Sequence, residues 1–152
     1  MYTTEQLEDA IISALAGLKT SLNVRTIKTY YGELDSEEDL ARASMLFPAV
    51  LAVYGGSNYI KKGARKIEKP RFLLFVCDKS LRNNEESRRG GPGNPGTYAI
   101  LESIRDLLVG QQLSLDIAPF ELLSVNPVWF SKGVSIYSAE YETAVYHLYP
   151  SV

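Results

Sequence analysis

A short apolar run that leads through a long loop into an amphipathic helix constrains the fold of this chain more than any other stretch. The run is Phe72–Cys77, and an unbroken apolar run of this length is typical of a strand buried on both faces. Apolar residues then recur at helical spacing up to Gly110, a typical C-terminal stop. We therefore predict a buried strand, a loop over residues 78–96, and a core helix that begins at Gly96 or Thr97.

The loop over residues 78–96 has a length that is uncommon inside a compact domain and usually means function or disorder. Its glycine-proline string over 90–96 invites a phosphate-binding interpretation. That interpretation fails, because the chain has neither a Gly-Lys-Ser/Thr ending nor a G-x-G-x-x-G motif that opens a helix. The pattern instead predicts a mobile binding loop, and we place Arg82, Arg88 and Arg89 at an interface with another protein.

Composition and charge limit the function classes that need consideration. The 152 residues are 45% apolar and 22% charged, which predicts one soluble globular domain over residues 1–152. The net charge of −2 supplies no basic excess for binding phosphates along the whole chain. A single cysteine, Cys77, excludes an internal disulfide and a multi-cysteine metal site. No signal peptide and no apolar run near the length of a membrane span is visible.

Catalytic residues are not indicated by the sequence. The only histidine, His147, alternates with apolar strand formers and is predicted to be structural or surface-exposed. Cys77 ends an apolar run and is predicted to behave as a small hydrophobic residue. We therefore predict a protein that is not an enzyme, with no catalytic residue, cofactor or metal.

The remaining patterns predict a fold of the α+β class. Helical periodicity and strand alternation give a helix over 4–21, an edge strand over 24–30, a short helix over 35–43 capped by Asp35, a strand over 47–54, a turn at 55–58, short strands over 113–117 and 120–125, and a long strand over 134–149 that bends at 138–140. This order predicts one mostly antiparallel β-sheet with two main helices packed on one face, plus a long β-ribbon or loop extension.

An acidic cluster lies at the start of the predicted short helix. Its members are Glu33, Asp35, Glu37, Glu38 and Asp39. Such a cluster suits a divalent cation or a basic partner, but its spacing matches no calcium-binding loop. A solvated helix start with acids placed favourably for the helix dipole is the other interpretation, and it is the one we favour. Glu37 and Glu38 are retained as candidate interaction residues.

A basic segment over residues 59–69 carries Tyr59, Lys61 and Lys62, followed by further lysines and an arginine. These residue types are suited to binding nucleic acid. They also suit an exposed hairpin arm that lysines protect against edge-to-edge pairing. Tyr59, Lys61 and Lys62 are therefore candidate interaction residues under either interpretation.

A series of short motifs extends across almost the whole chain, from about residue 5 to 149. In order they are Tyr31-Gly32-Glu33-Leu34, Phe47-Pro48-Ala49-Val50-Leu51, Tyr54-Gly55-Gly56, Leu81-Arg82, Arg88-Arg89-Gly90, Gly96-Thr97-Tyr98, Leu101-Glu102, Arg105-Asp106-Leu107-Leu108 and Gly110-Gln111. In this order and spacing they resemble the Mu-like phage and prophage tail proteins, long assigned to a domain of unknown function and regarded as tail-terminator-like.

The resemblance implies a structural protein of the virion tail, assembled in the cytoplasm of the bacterial host. It implies a hexameric ring that caps the tail tube, stops its polymerisation and joins the neck or head. The implied partners are further copies of the chain, the tail tube protein and a neck or head-connector protein. No membrane and no specific nucleic acid is implied, although phage DNA would pass through the ring. Deletion of residues 85–94 is then expected to abolish ring assembly or tail joining.

Two alternatives stay open on sequence grounds. One is a neck or head–tail completion protein of the same assembly, which would differ in oligomer number and in binding the portal rather than the tube. The other is a small nucleic-acid-binding module that uses the basic segment over 59–69.

Overall fold

The computed structural model describes residues 2–148. Its helices are α1 (Thr4–Leu15), α2 (Leu18–Ser21), α3 (Glu37–Ala43), α4 (Asn84–Arg89) and α5 (Thr97–Leu108). Its strands are β1 (Thr26–Thr29), β2 (Ala49–Lys62), β3 (Arg65–Lys79), β4 (Glu121–Ser131), β5 (Val134–Glu142) and β6 (Val145–Leu148), and a 3₁₀ turn covers Ser44–Leu46. The predicted α+β class is confirmed.

The strands form one sheet in the order β1-β2-β3-β5-β4, and β6 pairs with β3 beyond the end of β5. Strand β1 is parallel to β2, and all other pairs are antiparallel. We call the end of the sheet at Ala49 and Lys79 the lower end, and the end that carries the β2–β3 turn the upper end. Within residues 2–148 the outer sides of β1 and β4 are the two edges of the sheet.

Helices α1 and α5 pack on one face of the sheet, as predicted, with α1 against β1 and β2 and α5 against β3 and β5. The core between them is formed by fully buried side chains from every layer, including Ile11, Leu15, Phe72, Leu74, Ile100, Ile104 and Tyr141. Burying each such side chain stabilises the fold by about 1.5–3 kcal/mol. A smaller cluster on the opposite face packs α3 and its flanking loops over Ala49, Leu51 and Cys77.

The helix predicted over 4–21 is interrupted at Gly17. Thr3 caps α1 with the predicted capping box. At the other end of α1 the N–H of Ala16 turns back to Ser13, three residues away, instead of continuing the α-helical pattern. Glycine has low helix propensity, and the chain restarts there as the one-turn helix α2.

The turn predicted at 55–58 is wrong, because β2 continues through these residues to Lys62. The glycines instead mark a bulge, where the register with β3 shifts between Tyr54 and Ser57. The chain reverses only at Gly63, with φ at +60°. Pairing with β3, which itself pairs with β6, outweighs the weak strand propensity of glycine.

We call the hairpin of residues 57–70, with β6 beside it, the arm. The outgoing strand of this hairpin spans about 20 Å.

The C-terminal strands also differ from the prediction. Strand β4 passes through Pro127, and its register with β5 shifts between Leu122 and Ser124 and again between Pro127 and Trp129. The edge position of β4 tolerates the missing N–H of proline. The strand predicted over 113–117 is a turn, in which Leu113 and Ser114 have positive φ. The break predicted at 138–140 falls instead at 143–144, because β5 and β6 follow β3 in succession along one side. Tyr149 lies outside the described residues.

Candidate functional site

The segment of residues 80–96 is a folded element rather than the mobile loop that its composition predicted. Asp78, fully buried at the end of β3, holds the segment closed. Its carboxylate accepts hydrogen bonds from the N–H of Lys79 at 2.7 Å, from Nδ2 of Asn94 at 3.0 Å and from the N–H of Gly96 at 2.6 Å. Burial raises the pKa of Asp78, and the three hydrogen bonds oppose that shift. The prediction of a mobile binding loop over residues 78–96 is therefore wrong.

Helix α4 forms in this segment because its ends are satisfied locally and by the sheet. Asn83 caps the helix by accepting the N–H of Glu86 at 2.8 Å. The side chain of Asn84 accepts the N–H of Gly133 in the β4–β5 turn. Ser87 is fully buried, and its carbonyl accepts a hydrogen bond from Ser135 Oγ at 2.9 Å. Sequence reasoning missed these anchors, although the Asn83–Glu86 spacing is a recognisable helix start.

The three arginines predicted to form one interface are placed differently from one another. Arg82 and Arg89 are exposed, and Arg89 pairs with Glu85 at 2.8 Å within α4. Arg88 is half-buried and lies over the ring of Phe130 at 5.5 Å, a cation–π contact. The structure therefore brings Arg88 to an aromatic group on the sheet and leaves Arg82 and Arg89 facing solvent.

Arg88 belongs to a cluster of aromatic side chains at the β4 side of the sheet. The rings of Phe130 and Tyr137 lie 5.1 Å apart, and those of Tyr98 and Tyr137 lie 6.1 Å apart. Burial, followed by a hydrogen bond with Tyr98, raises the pKa of Tyr137, so the Tyr137 phenol is neutral near pH 7. Partly exposed tyrosine, phenylalanine and arginine side chains in one cluster are typical of the energetic centres of protein interfaces.

Strand β4 presents exposed apolar side chains along its whole length, and we call this surface the β4 edge. Leu123, Val125, Val128 and Phe130 are each between 42% and 46% exposed. No charged residue occurs from Leu122 to Ser131, whereas solitary edge strands usually carry charges that prevent pairing. Sequence reasoning missed this surface, and the absence of charge over residues 122–131 was the available signal.

The arm carries the predicted basic residues at its tip. Tyr59, Lys61 and Lys62 are exposed there, and Tyr59 lies 5.1 Å from the Lys66 ammonium. The exposed hairpin predicted as one interpretation of this segment is confirmed. At the base of the arm, His147 Nε2 lies 2.8 Å from Glu68, and Ser57 donates to the same carboxylate at 2.7 Å. His147 is therefore structural, which is one of the two outcomes that the sequence left open.

The base of the arm gives the protein a pH-dependent stability. Burial alone raises the pKa of Glu68, but hydrogen bonds with Ser57, His147 and Tyr59 outweigh it and hold the pKa below its ordinary value of 4.5. A depressed pKa in the folded state stabilises the protein above the unfolded pKa, and that stability is lost as pH falls through the folded value.

We expect Glu68→Gln to melt at a lower temperature than the wild type at neutral pH. The gap should close as the pH falls below about 4.5, where the glutamate becomes protonated. Circular dichroism melts across this range measure the gap, and the exposed Glu102→Gln serves as the control. A gap that stays constant down to acidic pH would contradict the assignment.

The acidic residues around α3 behave as a solvated helix start. Ser36, rather than the predicted Asp35, caps α3 by accepting the N–H of Asp39 at 3.0 Å, and Asp35 instead accepts a hydrogen bond from Tyr30 at 2.7 Å. Glu37 and Glu38 are exposed. In the part of the chain that the structure describes, no group of three or more His, Cys, Asp or Glu side chains is arranged to hold a metal ion.

A groove of about 780 Å³ opens at the lower end of the sheet. It lies between residues 21–25 and the glycine-proline string, and Asp78 lines it. Because both oxygens of Asp78 accept hydrogen bonds from the protein, the groove has no free buried acid or base at this position.

No helix within residues 2–148 is long and apolar enough to cross a membrane.

Comparison with known proteins identifies a shared fold and a family. No curated protein matches the sequence. A chain from the virion of a native gene transfer agent (GTA) particle shares the fold, with a TM-score of 0.56 and 14% identity over 93% of this chain and 95% of that chain. The family model described as Bacteriophage Mu, Gp37 matches residues 4–146. The chain therefore belongs to the Bacteriophage Mu, Gp37 family.

Proposed function

We propose that this chain is a structural protein of the virion tail, a tail terminator that forms a ring on the end of the tail tube. The observation that carries the proposal is the family match over residues 4–146. A chain of the same fold within a gene transfer agent virion supports a role inside a particle. In this role the ring stops polymerisation of the tube and provides the surface that joins the neck or head.

The charge of the chain is compatible with a ring around DNA. A net charge of −2 gives little attraction for phosphates, so DNA can pass without being held. Arg82 and Arg89 lie exposed on the segment of residues 80–96, at the lower end of the sheet, where they can reach a partner without any change in the fold. They are the residues that we propose contact the tube or the neck.

Removal of the gene tests the proposal directly. We expect tails of irregular, excessive length without attached heads, seen by electron microscopy, and the purified protein should bind the ends of isolated tubes as rings. Tails of normal length in the deletion strain would contradict termination. Binding to the portal or neck but not to tube ends would instead identify a head–tail completion protein.

Substitution of the two exposed arginines, Arg82 before α4 and Arg89 at its end, is a sharper test of the site than deletion of residues 85–94. The deletion removes the buried Ser87 and the anchoring Asn94, so it would disturb the fold. The double variant Arg82→Glu with Arg89→Glu keeps these anchors. We expect it to fold normally and to lower the yield of joined particles at least tenfold, whereas Lys19→Glu on α2 should leave it unchanged. Equal yields from both variants would remove these arginines from the site.

The arm favours a second candidate function, binding to a polyanion. Lys61, Lys62 and Arg65 are exposed together at its tip. Such a contact predicts a gel shift at low salt that weakens steeply as salt is added and is lost in Lys61→Glu with Lys62→Glu. A flat result at low salt would exclude it.

A further inference from the structure

Two exposed apolar surfaces lie at opposite edges of the sheet. One is the β4 edge, described above. The other, which we call the β1 edge, consists of Tyr31, Met45 and Leu46, which are 87%, 69% and 58% exposed. Single exposed apolar side chains are ordinary, but a group of large ones at one edge marks an interaction surface.

The β1 edge is held in place by hydrogen bonds to the start of β1. Arg25 Nη1 donates to the carbonyl of Met45 at 3.4 Å, and Thr26 Oγ1 donates to the carbonyl of Leu46 at 3.2 Å. The 3₁₀ turn is therefore fixed beside the first residue of the strand. Its two apolar side chains project from a backbone that these hydrogen bonds already hold, so a partner that binds them has less backbone to order.

The register of the sheet places the two edges at the same height. Thr26 pairs with Ala49, and the same row continues through Cys77 and Ile136 to Trp129 in β4. Met45 and Leu46, beside Thr26, thus lie at one end of the row that has Val128 and Phe130 at its other end.

A second row gives the same match higher in the sheet. Thr29 of β1 lies in the row that ends at Val125. Tyr31 follows Thr29 by two residues, just past the end of β1, and Leu123 precedes Val125 by two residues, at the register shift between Leu122 and Ser124. Exposed apolar side chains therefore lie near both ends of two separate rows.

Charge is complementary at the upper corners of the same two edges. The arm continues β2, the strand beside β1, past the upper end of β1 and carries Lys61, Lys62 and Arg65 exposed at its tip. The upper end of β4 carries the exposed Glu121, paired in register with Glu142 of β5. A neighbouring copy placed edge to edge has this acidic corner on the side of the basic arm, which favours one orientation over its reverse.

We propose that copies of this chain associate head to tail, with the β1 edge of one copy against the β4 edge of the next. Because the two surfaces differ and lie on opposite sides, the contact is heterologous, and it closes into a ring when the rotation per copy allows. Strand β1 runs antiparallel to β4 across this contact. The proposal rests on the ring of the proposed function and assigns the surfaces that build it.

Mixing two single variants tests the contact. Leu46→Asp and Val128→Asp each place a charge in one surface and leave the other intact, and each should weaken self-association at least about a hundredfold. Mixed together they should form a heterodimer, through the intact β1 edge of the Val128→Asp copy and the intact β4 edge of the Leu46→Asp copy. Native mass spectrometry or light scattering measures this. Leu107→Asp, exposed on α5 and on neither edge, should assemble like the wild type.

Cysteine cross-linking gives a second measurement that does not depend on destabilising charge. Copies with Leu46→Cys and copies with Val128→Cys, mixed and oxidised, should give a disulfide-linked dimer that contains one of each. The native Cys77 is buried and does not compete. A linked dimer of Val128→Cys alone would show a symmetric contact and overturn the proposal, as would wild-type-like assembly of both aspartate variants or no heterodimer from their mixture.

The outcomes separate this contact from the proposed function. Rings that assemble and show the mixing behaviour but never bind tube ends contradict the terminator and leave the contact standing. If the wild-type chain caps tube ends but stays monomeric both in solution and on those ends, the contact is contradicted and the terminator function is not.

Discussion

Asp78→Ala is expected to lower the free energy of unfolding by about 3 kcal/mol, because three hydrogen bonds to one carboxylate are lost together. The N–H of Gly96 lies in a buried position and loses its acceptor. The loss should spread to the whole segment over 80–96, since Asp78 also holds Asn94, which reaches the carbonyl of Glu86 in α4 at 2.8 Å.

Denaturant unfolding measures the stability change, and hydrogen exchange measures the loosening. Amide protons of residues 90–97 should exchange at least tenfold faster in Asp78→Ala than in the wild type, while those of β2 change less. Asp106→Ala removes an exposed carboxylate on α5 and is the matched control. If the two variants unfold alike, Asp78 does not hold the segment.

Gly96→Ala is expected to be the most damaging glycine substitution in the glycine-proline string. Gly96 has φ of +87° and ψ of 148°, a conformation that costs other residues about 1–3 kcal/mol. A Cβ there would also lie 2.4 Å from the backbone nitrogen of Gly90 and 2.6 Å from the carbonyl oxygen of Arg88. Since backbone cannot move aside as a flexible side chain can, α4 and the start of α5 must separate.

Gly93→Ala provides the matched control in the same string. Gly93 also has positive φ, at +94°, but a Cβ there meets no atom within 4 Å. The difference between the two variants therefore isolates the close approach of the two backbone segments from the strain of positive φ. We expect Gly96→Ala to be destabilised by about 2 kcal/mol more than Gly93→Ala in denaturant unfolding. Equal losses would show that the string needs glycine for its dihedral angles alone.

Asp78 and Gly96 explain why composition gave the wrong prediction for residues 78–96. Glycines and prolines are typical of flexible loops, but here Gly96 allows two backbone segments to touch, and Asp78 closes them together. Neither fact can be predicted from local sequence, because the partners of Asp78 lie up to 18 residues away. The length of the segment indicated importance correctly; its order was decided by contacts.

Local sequence patterns predicted structure correctly where the interacting residues lie within a few positions of one another. The capping box at Thr3, the apolar face of α5, its stop at Gly110 and the buried strand at Phe72–Cys77 all lie where the sequence predicted. The turn predicted at Gly55 failed, because β3 provides a pairing partner along the whole of β2. Pro127 likewise did not end β4, since an edge strand has one side on which no N–H is needed.

By itself, the sequence determined the class of the fold, the main helices on one face and the exposed basic hairpin. Periodicity, capping and turn chemistry act over a few residues, so they can be interpreted without knowing the partners. Only the tertiary structure decided that β1 and β4 are the edges of the sheet within residues 2–148, and which exposed apolar side chains lie beside each edge. Strand order and register arise from pairing between distant residues, and they determine which apolar side chains remain exposed at the edges of the sheet.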